Sequence, residues 1–470
     1  MKNKNLLLLV VVALASVTIA AGVYGFRIYP KPIPPKPKPP LAFKKGSTYE
    51  KEWKKVDSLI NDGLSKSAIE QVELIYTKAK TDNNAPQIVK ALMYRLKLVQ
   101  QYQEDDVYNS IYKMNDEIRS SSYPLTPILH SMLADIYQQY YTRNRWKFQQ
   151  RTEVVNVKLD DISTWDLKTL FNQIIQHHLQ ALKNVDSLQR TPIDIYDDVL
   201  SQGYGDGHNL RPTLYDFIAH RAVDFLMNEE PDVIRPAYKF ELNSEDYFKN
   251  FDDFVKVNIP YNGDSLSTKY YAIKILQNLI AFHANDADPK ALIDADLKRL
   301  KFAKDHSTTG VNDSLYLKAL LSLEQRFIKF PSSTEVTYAI AQAYSERGNK
   351  YDPRKSEDNK WFAKKAVETC ESAQARFKDA YGAQQCAALE TSIKEKKMTL
   401  EVEKANLIDK PFRAYLSYTN IKKVYVRAIP VEFERYRSSG YYDNYGDDQK
   451  SFMKRMLKIT PAQKWSVTLP

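Results

Sequence analysis

The sequence predicts a mainly α-helical chain, a tetratricopeptide-like helical repeat (an α-solenoid) followed by an incomplete antiparallel β-sandwich. Three observations predict it. Apolar residues recur at helical spacing from Trp53 to about Lys396, the pattern of amphipathic helices that bury one stripe. Short polar breaks such as Thr81-Asp82-Asn83-Asn84 and Ser120-Ser121-Ser122 separate the stripes, which is how stacked helical units read in sequence. After Met398 the apolar period changes from 3.6 residues to 2, the period of a strand.

The chain opens with Lys2 and Lys4, an apolar run from Leu6 to Ala21, and the small residues Thr18, Ala20, Ala21 and Gly22. This is the layout of a secretory signal. The run continues through Val23, Tyr24 and Phe26, and about 20 apolar residues can also span a bilayer. Residues 1–26 are therefore read as a signal peptide or a signal anchor. No cysteine stands near this exit to carry a lipid. Residues 27–49 follow as a linker rich in Pro and Lys, centred on Tyr29-Pro-Lys-Pro-Ile-Pro-Pro-Lys-Pro-Lys-Pro-Pro40. Proline at this density enforces extended polyproline II, a semi-rigid spacer.

The helical region is assigned to residues 50–397. Its stripes begin with Val56, Leu59 and Ile60, stopped at Gly63, and continue with Ile69, Val72, Ile75, Tyr76 and Ala79. Ile88, Ala91, Leu92, Leu96 and Val99 form the next, and Ile128 to Tyr140 a later one. Between Gln149 and Ser267 the pattern loosens, with Val154, Val155 and Val157 as a short strand or loop and a helix from Thr213 to Met227. The clearest repeat unit spans Ser314 to Gly348, with Leu317, Leu320, Leu321 and Phe327 on one helix and Ala339, Ala341, Ala343 and Tyr344 on the second. A third helix through Ala363, Ala366, Val367 and Phe377 is expected to end near Tyr381-Gly382, ahead of a last helix carrying Cys386.

Four strands are predicted in residues 398–470, through Met398, Leu400 and Val402; through Phe412, Ala414, Leu416 and Tyr418; through Val424, Val426 and Ala428; and through Trp465, Val467 and Leu469. A sandwich needs about seven, and an open apolar edge invites pairing. This stretch is read as part of a β-domain of a longer polypeptide.

The net charge of +10 would suggest a nucleic-acid partner were it spread evenly. It is not: residues 1–55 carry +9 and residues 389–470 carry +6, which leaves the helical middle at −5. A net-acidic body is a poor phosphate-binding surface, so no nucleic acid is expected. The basic arm beside an apolar segment fits a membrane surface instead.

No catalytic or cofactor signature is found. Gly203, Gly205 and Gly207 lack the spacing of a phosphate-binding loop. His177 and His178 are adjacent on a predicted helix and cannot both face one metal. His130, His208, His220, His283 and His306 are scattered singly, and no G-x-S-x-G nucleophile motif occurs. The pairs Asp105-Asp106, Asp160-Asp161 and Asp197-Asp198 read as caps and solvated turns. The 32 tyrosines could stack on glycans or bases, but on helical stripes they read as core filling. The chain is expected to be no enzyme, with no cofactor and no metal.

Cys370 and Cys386 are the only two cysteines. In an exported chain an even, close pair predicts a disulfide, here stapling two adjacent helices, worth typically about 3 kcal/mol. Two independent buried thiols are the other reading.

Several segments are more specific. Trp53-Lys-Lys-Val-Asp-Ser-Leu59 leads to Gly63-Leu64; Ile128-Leu-His-Ser-Met-Leu-Ala134 is followed by Asn144-Arg-Trp-Lys147, Arg151-Thr152 and Asp161-Ile-Ser-Thr-Trp-Asp166. Thr213-Leu-Tyr-Asp-Phe-Ile-Ala-His-Arg-Ala222 and Tyr381-Gly-Ala383 with Cys386 complete the series. The series resembles the N-terminal region of large bacterial alpha-2-macroglobulin-like proteins, in which a helical extension precedes the first macroglobulin-like β-domain. The resemblance covers nearly all of residues 50–470. It implies endopeptidase inhibition in the cell envelope, by a body that collapses around a protease cutting its bait segment and in many members binds it through a thioester. Here Cys370 is followed by Glu371-Ser372 and Cys386 by Ala387-Ala388, so neither matches the family's Cys-Gly-Glu-Gln. The implied partners are proteases, through domains beyond residue 470, and an envelope protein docked on the helical scaffold. A stand-alone, membrane-tethered helical-repeat binding module is the alternative.

Overall fold

The structure, a computed structural model, describes residues 39–43, 46–100, 107–151, 158–159, 161–200, 207–228, 239–261, 263–352, 354–403, 410–430 and 447–469. It is mainly helical, with short two-stranded antiparallel sheets at the C-terminal end. The predicted signal or anchor, the linker up to residue 38, Val154 to Val157, most of the Gly203–Gly207 turn and Asp105-Asp106 lie outside the described residues. Among the described residues no helix is long and apolar enough to cross a membrane.

The helices are α1 (Glu50–Asn61), α2 (Ser65–Thr81), α3 (Ala85–Gln100), α4 (Val107–Ser120), α5 (Leu125–Gln150), α6 (Leu167–Ala181), α7 (Val185–Arg190), α8 (Gly207–Leu210), α9 (Leu214–Leu226), α10 (Phe251–Phe254), α11 (Thr268–His283), α12 (Lys290–His306), α13 (Asn312–Phe327), α14 (Ser333–Gly348), α15 (Phe362–Arg376) and α16 (Tyr381–Lys394). Local chemistry sets their ends. Gly63 takes φ +75° between α1 and α2, a left-handed turn that costs glycine little. Asp166 caps α6 by accepting from the Thr169 amide. Thr213 and Asp216 form a reciprocal capping box on α9, and Ser267 caps α11 through the Tyr270 amide. Asn144 breaks the helical dihedrals inside α5 and donates its side-chain amide to the Tyr140 carbonyl at 3.0 Å, which accounts for a kink there.

Each helix packs mainly on a neighbour close in sequence, in the order α1, α2, α3, α5, α6, α9, α11, α12, α13, α14, α15, α16. One apolar core runs through this series from Tyr49 to Ala366. The stripes read from sequence supply it: Val56, Val72, Ile75, Ala79, Ala91, Leu92, Leu129 and Leu133 are all essentially inaccessible to solvent. A smaller cluster of Ala341, Cys370, Ala373, Ala383 and Cys386 joins α14, α15 and α16. One boundary differs from expectation. Tyr381-Gly382 opens α16 instead of closing α15, because α15 already stops at Arg376. The end of the proline-rich linker is tied down as well: the Leu41 amide donates to the Arg190 carbonyl at 2.7 Å, and Arg190 Nε donates to the Pro39 carbonyl at 2.9 Å.

The predicted strands appear as β1 (Lys397–Val402), β2 (Ala414–Thr419), β3 (Lys423–Ala428) and β4 (Gln463–Thr468). They pair as two separate ribbons, β1 with β2 and β3 with β4, so no sandwich forms among the described residues. A helix the periodicity did not predict, α17 (Asp447–Lys458), lies between β3 and β4. Register puts Met398 opposite Tyr418, Leu400 opposite Leu416 and Val402 opposite Ala414. It likewise puts Val424 opposite Val467 and Val426 opposite Trp465. Alternation then gathers these residues on one face of each ribbon. That face is open to solvent, with Leu400 55% and Trp465 48% exposed. Asn420 ties the first ribbon to the helices by donating to the Ile393 and Glu395 carbonyls at the end of α16.

Candidate binding cleft

A cleft of about 290 Å³ lies between α12, α13, α14 and α16. Helical spacing lays out its walls. Leu297, Lys301 and Lys304 fall on one face of α12, and Glu335, Ala339, Gln342 and Glu346 on one face of α14. Tyr316 enters from α13, Tyr338 from α14 and Tyr381 from α16. Gly382 is what lets α16 reach the site: a Cβ there would stand 2.2 Å from the Thr334 carbonyl carbon and 2.3 Å from the Glu335 amide. No other residue permits that approach, which sets Tyr381 at the rim beside Glu335.

The charges in the cleft are unevenly answered. Lys304 pairs with Glu346 at 2.6 Å, and Lys301 with Asp305 at 2.5 Å. Glu335, half-buried on the first turn of α14, makes no hydrogen bond or ion pair through its carboxylate among the described residues. Burial pushes its pKa up to about 7, helped by the charge of Asp294 and opposed by Lys290. Its place in the first turn favours a negative charge, but desolvation outweighs that.

The cysteine pair lies under this cleft. Cys370 and Cys386 are both fully buried, and Tyr338 packs on their cluster. The structure brings the two into one buried cluster as free thiols, where a disulfide was expected from sequence. The neighbouring Cys370 side chain, with burial, pushes the Cys386 thiol up. A buried thiol of this kind is unreactive as a nucleophile.

The histidines that looked scattered in sequence are brought into clusters. His130 and His177 share a hydrogen bond of 2.9 Å between their Nδ1 atoms, and burial pushes His130 down to about 4 and holds His177 well below its usual value. His178 points elsewhere, stacked on Phe225 at 5.2 Å, and burial pushes it down to about 3. Adjacent helix positions diverge, as expected. His283 bridges Asp216 and Asp286, at 2.7 Å from each ring nitrogen. Burial opposes its charge, yet these two carboxylates raise it to about 9, so it is an imidazolium at neutral pH. His220 stands beside Lys298 at 3.3 Å and Asp294 at 3.5 Å. Arg299, fully buried, pairs with Asp296 and donates to the Tyr247 and Lys249 carbonyls, which straps the segment before α10 onto α12. These groups hold helices together, and among the described residues no three of the His, Cys, Asp and Glu side chains are grouped to hold a metal ion.

No protein-family model, no curated protein and no solved structure matches this chain.

Proposed function

We propose that this chain is the N-terminal part of an alpha-2-macroglobulin-like endopeptidase inhibitor of the cell envelope. Its helices serve as a tetratricopeptide-like docking scaffold, and its ribbons belong to the first macroglobulin-like β-domain. The observation that carries this reading is the pair of ribbons. Each presents one apolar face, of Met398, Leu400, Val402 and Leu416 in one and Val424, Val426, Trp465 and Val467 in the other. Faces of this composition are the inner layers of a sandwich, and a two-stranded ribbon alone is marginal in water. Sequential packing of the helices supports the solenoid half of the reading.

The disulfide between Cys370 and Cys386 belongs to the same proposal, since an oxidising compartment would join two thiols already in contact. Alkylation without reductant followed by mass measurement should find both blocked; two alkylated thiols would remove it. The inhibitor reading is tested by the gene downstream of codon 470. Further β-domains with a Cys-Gly-Glu-Gln motif are expected, and a stop codon there would leave the trap without its working parts. The α12–α16 cleft favours the stand-alone binding module as the second reading, because it needs only the helices.

A further inference from the structure

The geometry points to a specific occupant for the cleft between α12, α13, α14 and α16: the guanidinium of an arginine side chain in a partner polypeptide, with the Glu335 carboxylate as counter-ion and the rings of Tyr338 and Tyr381 as walls. The inference rests on the docking reading of the helices and names the chemistry of what docks. Three features converge on it.

The first is charge. The cleft's lysines are already neutralised, Lys304 by Glu346 and Lys301 by Asp305, whereas Glu335 has no such partner among the described residues. The charges that act on it are Asp294, of the same sign, and Lys290. A half-buried carboxylate in that position gains most from a cation brought to it, because the interaction strengthens as water leaves. Anionic ligands are disfavoured for the same reason.

The second is shape. A space of about 290 Å³ lies at the small end for ligand pockets, which suits one or two side chains and not a large cofactor. Ala339 and Ala343 are among its lining residues, and their short side chains take up little of the space.

The third is the aromatic lining. Tyr316, Tyr338 and Tyr381 all border the space, and Tyr381 is 54% exposed at its rim. A planar guanidinium stacks on such rings and still forks two donors to a carboxylate, which an ammonium does less well. One ring of the lining already has a cation near its face, the Lys304 ammonium 5.1 Å from the centroid of Tyr316, which leaves Tyr338 and Tyr381 for an incoming group.

The test compares two fluorescein-labelled pentapeptides, Ala-Tyr-Arg-Ala-Ala and the same peptide with citrulline, the neutral isostere of arginine, titrated with the purified full chain by fluorescence polarisation. The arginine peptide should bind at least tenfold more tightly. Glu335→Gln should abolish that preference while leaving the helical circular dichroism and Tm unchanged or improved, which separates a lost counter-ion from a lost fold. Tyr381→Ala, at an exposed rim, should weaken the arginine peptide several-fold without touching stability. Equal binding of both peptides, or a preference that survives in Glu335→Gln, would overturn the assignment of a guanidinium while leaving a docking scaffold standing. Failure of the arginine peptide to bind at millimolar concentration also overturns it, and the inhibitor reading is then judged separately by the downstream gene sequence.

Discussion

The helical body and the C-terminal ribbons start from equally clean periodicity and end in opposite states. In the body, the stripe of Val72, Ile75 and Ala79 is buried to within 1%. In the ribbons, the alternation of Met398, Leu400 and Val402 leaves each of them at least 44% exposed. The difference is where the partner lies. A helix satisfies its own backbone and finds an apolar neighbour one turn along the chain, so each added helix closes the stripe of the one before. A strand needs a second strand for its backbone and a second layer for its face. Among the described residues the ribbons have the first and lack the second. At about 25 cal/mol for each Å² of apolar surface buried, the body gains from nearly every apolar residue and the ribbons from few.

Four perturbations sharpen this contrast, from the largest expected effect to the smallest. His283→Ala should destabilise the body by about 3–5 kcal/mol, the usual consequence of stranding a buried charge, here Asp216 at 0% exposure. Guanidinium unfolding followed by helical circular dichroism reads it, and a loss under about 1 kcal/mol would show that the pair does not hold α9 to α11. The same pair has a pH signature. Because His283 is raised to about 9, its contribution is complete below about pH 6.5 and should fade as pH rises through 9.

Glu335 follows pH in the same direction as His283, but here it is the charged form that costs the folded body stability. Its folded pKa of about 7 lies above its ordinary value of 4.5, so its stability is full below about pH 4.5 and is lost as pH rises through 7. Glu335→Gln should therefore stabilise the protein at pH 8 by up to about 3 kcal/mol, at about 1.4 kcal/mol per pKa unit, and should do nothing at pH 4. An equal effect at both pH values would mean that burial is not what raises the group.

Gly382→Val should cost about 1–3 kcal/mol through overpacking against Thr334 and Glu335, and should open the cleft. Thermal unfolding measures the first consequence, and peptide polarisation the second. Smallest of all, Leu400→Ser with Trp465→Ser should change the stability of the body by no more than about 0.5 kcal/mol, as exposed substitutions usually do. Binding of a dye that reports apolar surface should fall at the same time. A loss of several kcal/mol would show that the ribbon faces are covered after all.

Much of this was legible in the sequence, and the limits are physical. Helix identity came from stripes such as Ile128 to Tyr140, and all four strands came from alternation, because both signals are local. The sequence misplaced Tyr381-Gly382, since the glycine serves a long-range contact with Thr334 and Glu335 and not the end of a helix. It did not show α17, whose apolar residues are outnumbered by charged ones and of which Met453 and Leu457 are exposed. It treated His130, His220 and His283 as isolated, although their partners stand 47, 74 and 67 positions away at His177, Asp294 and Asp216. Glu335 gave no signal at all, for a carboxylate in a first turn is ordinary until its surroundings are known.

By itself, then, the sequence determined what each segment would become: helices where apolar residues return every 3.6 positions, strands where they alternate, and an acidic middle between two basic ends. Tertiary structure alone decided which residues meet. It set Asp216 against His283, laid the two thiols side by side under Tyr338, and left one carboxylate unanswered in a tyrosine-lined cleft. Periodicity is a property of neighbours along the chain, whereas charge pairing and desolvation depend on neighbours in space.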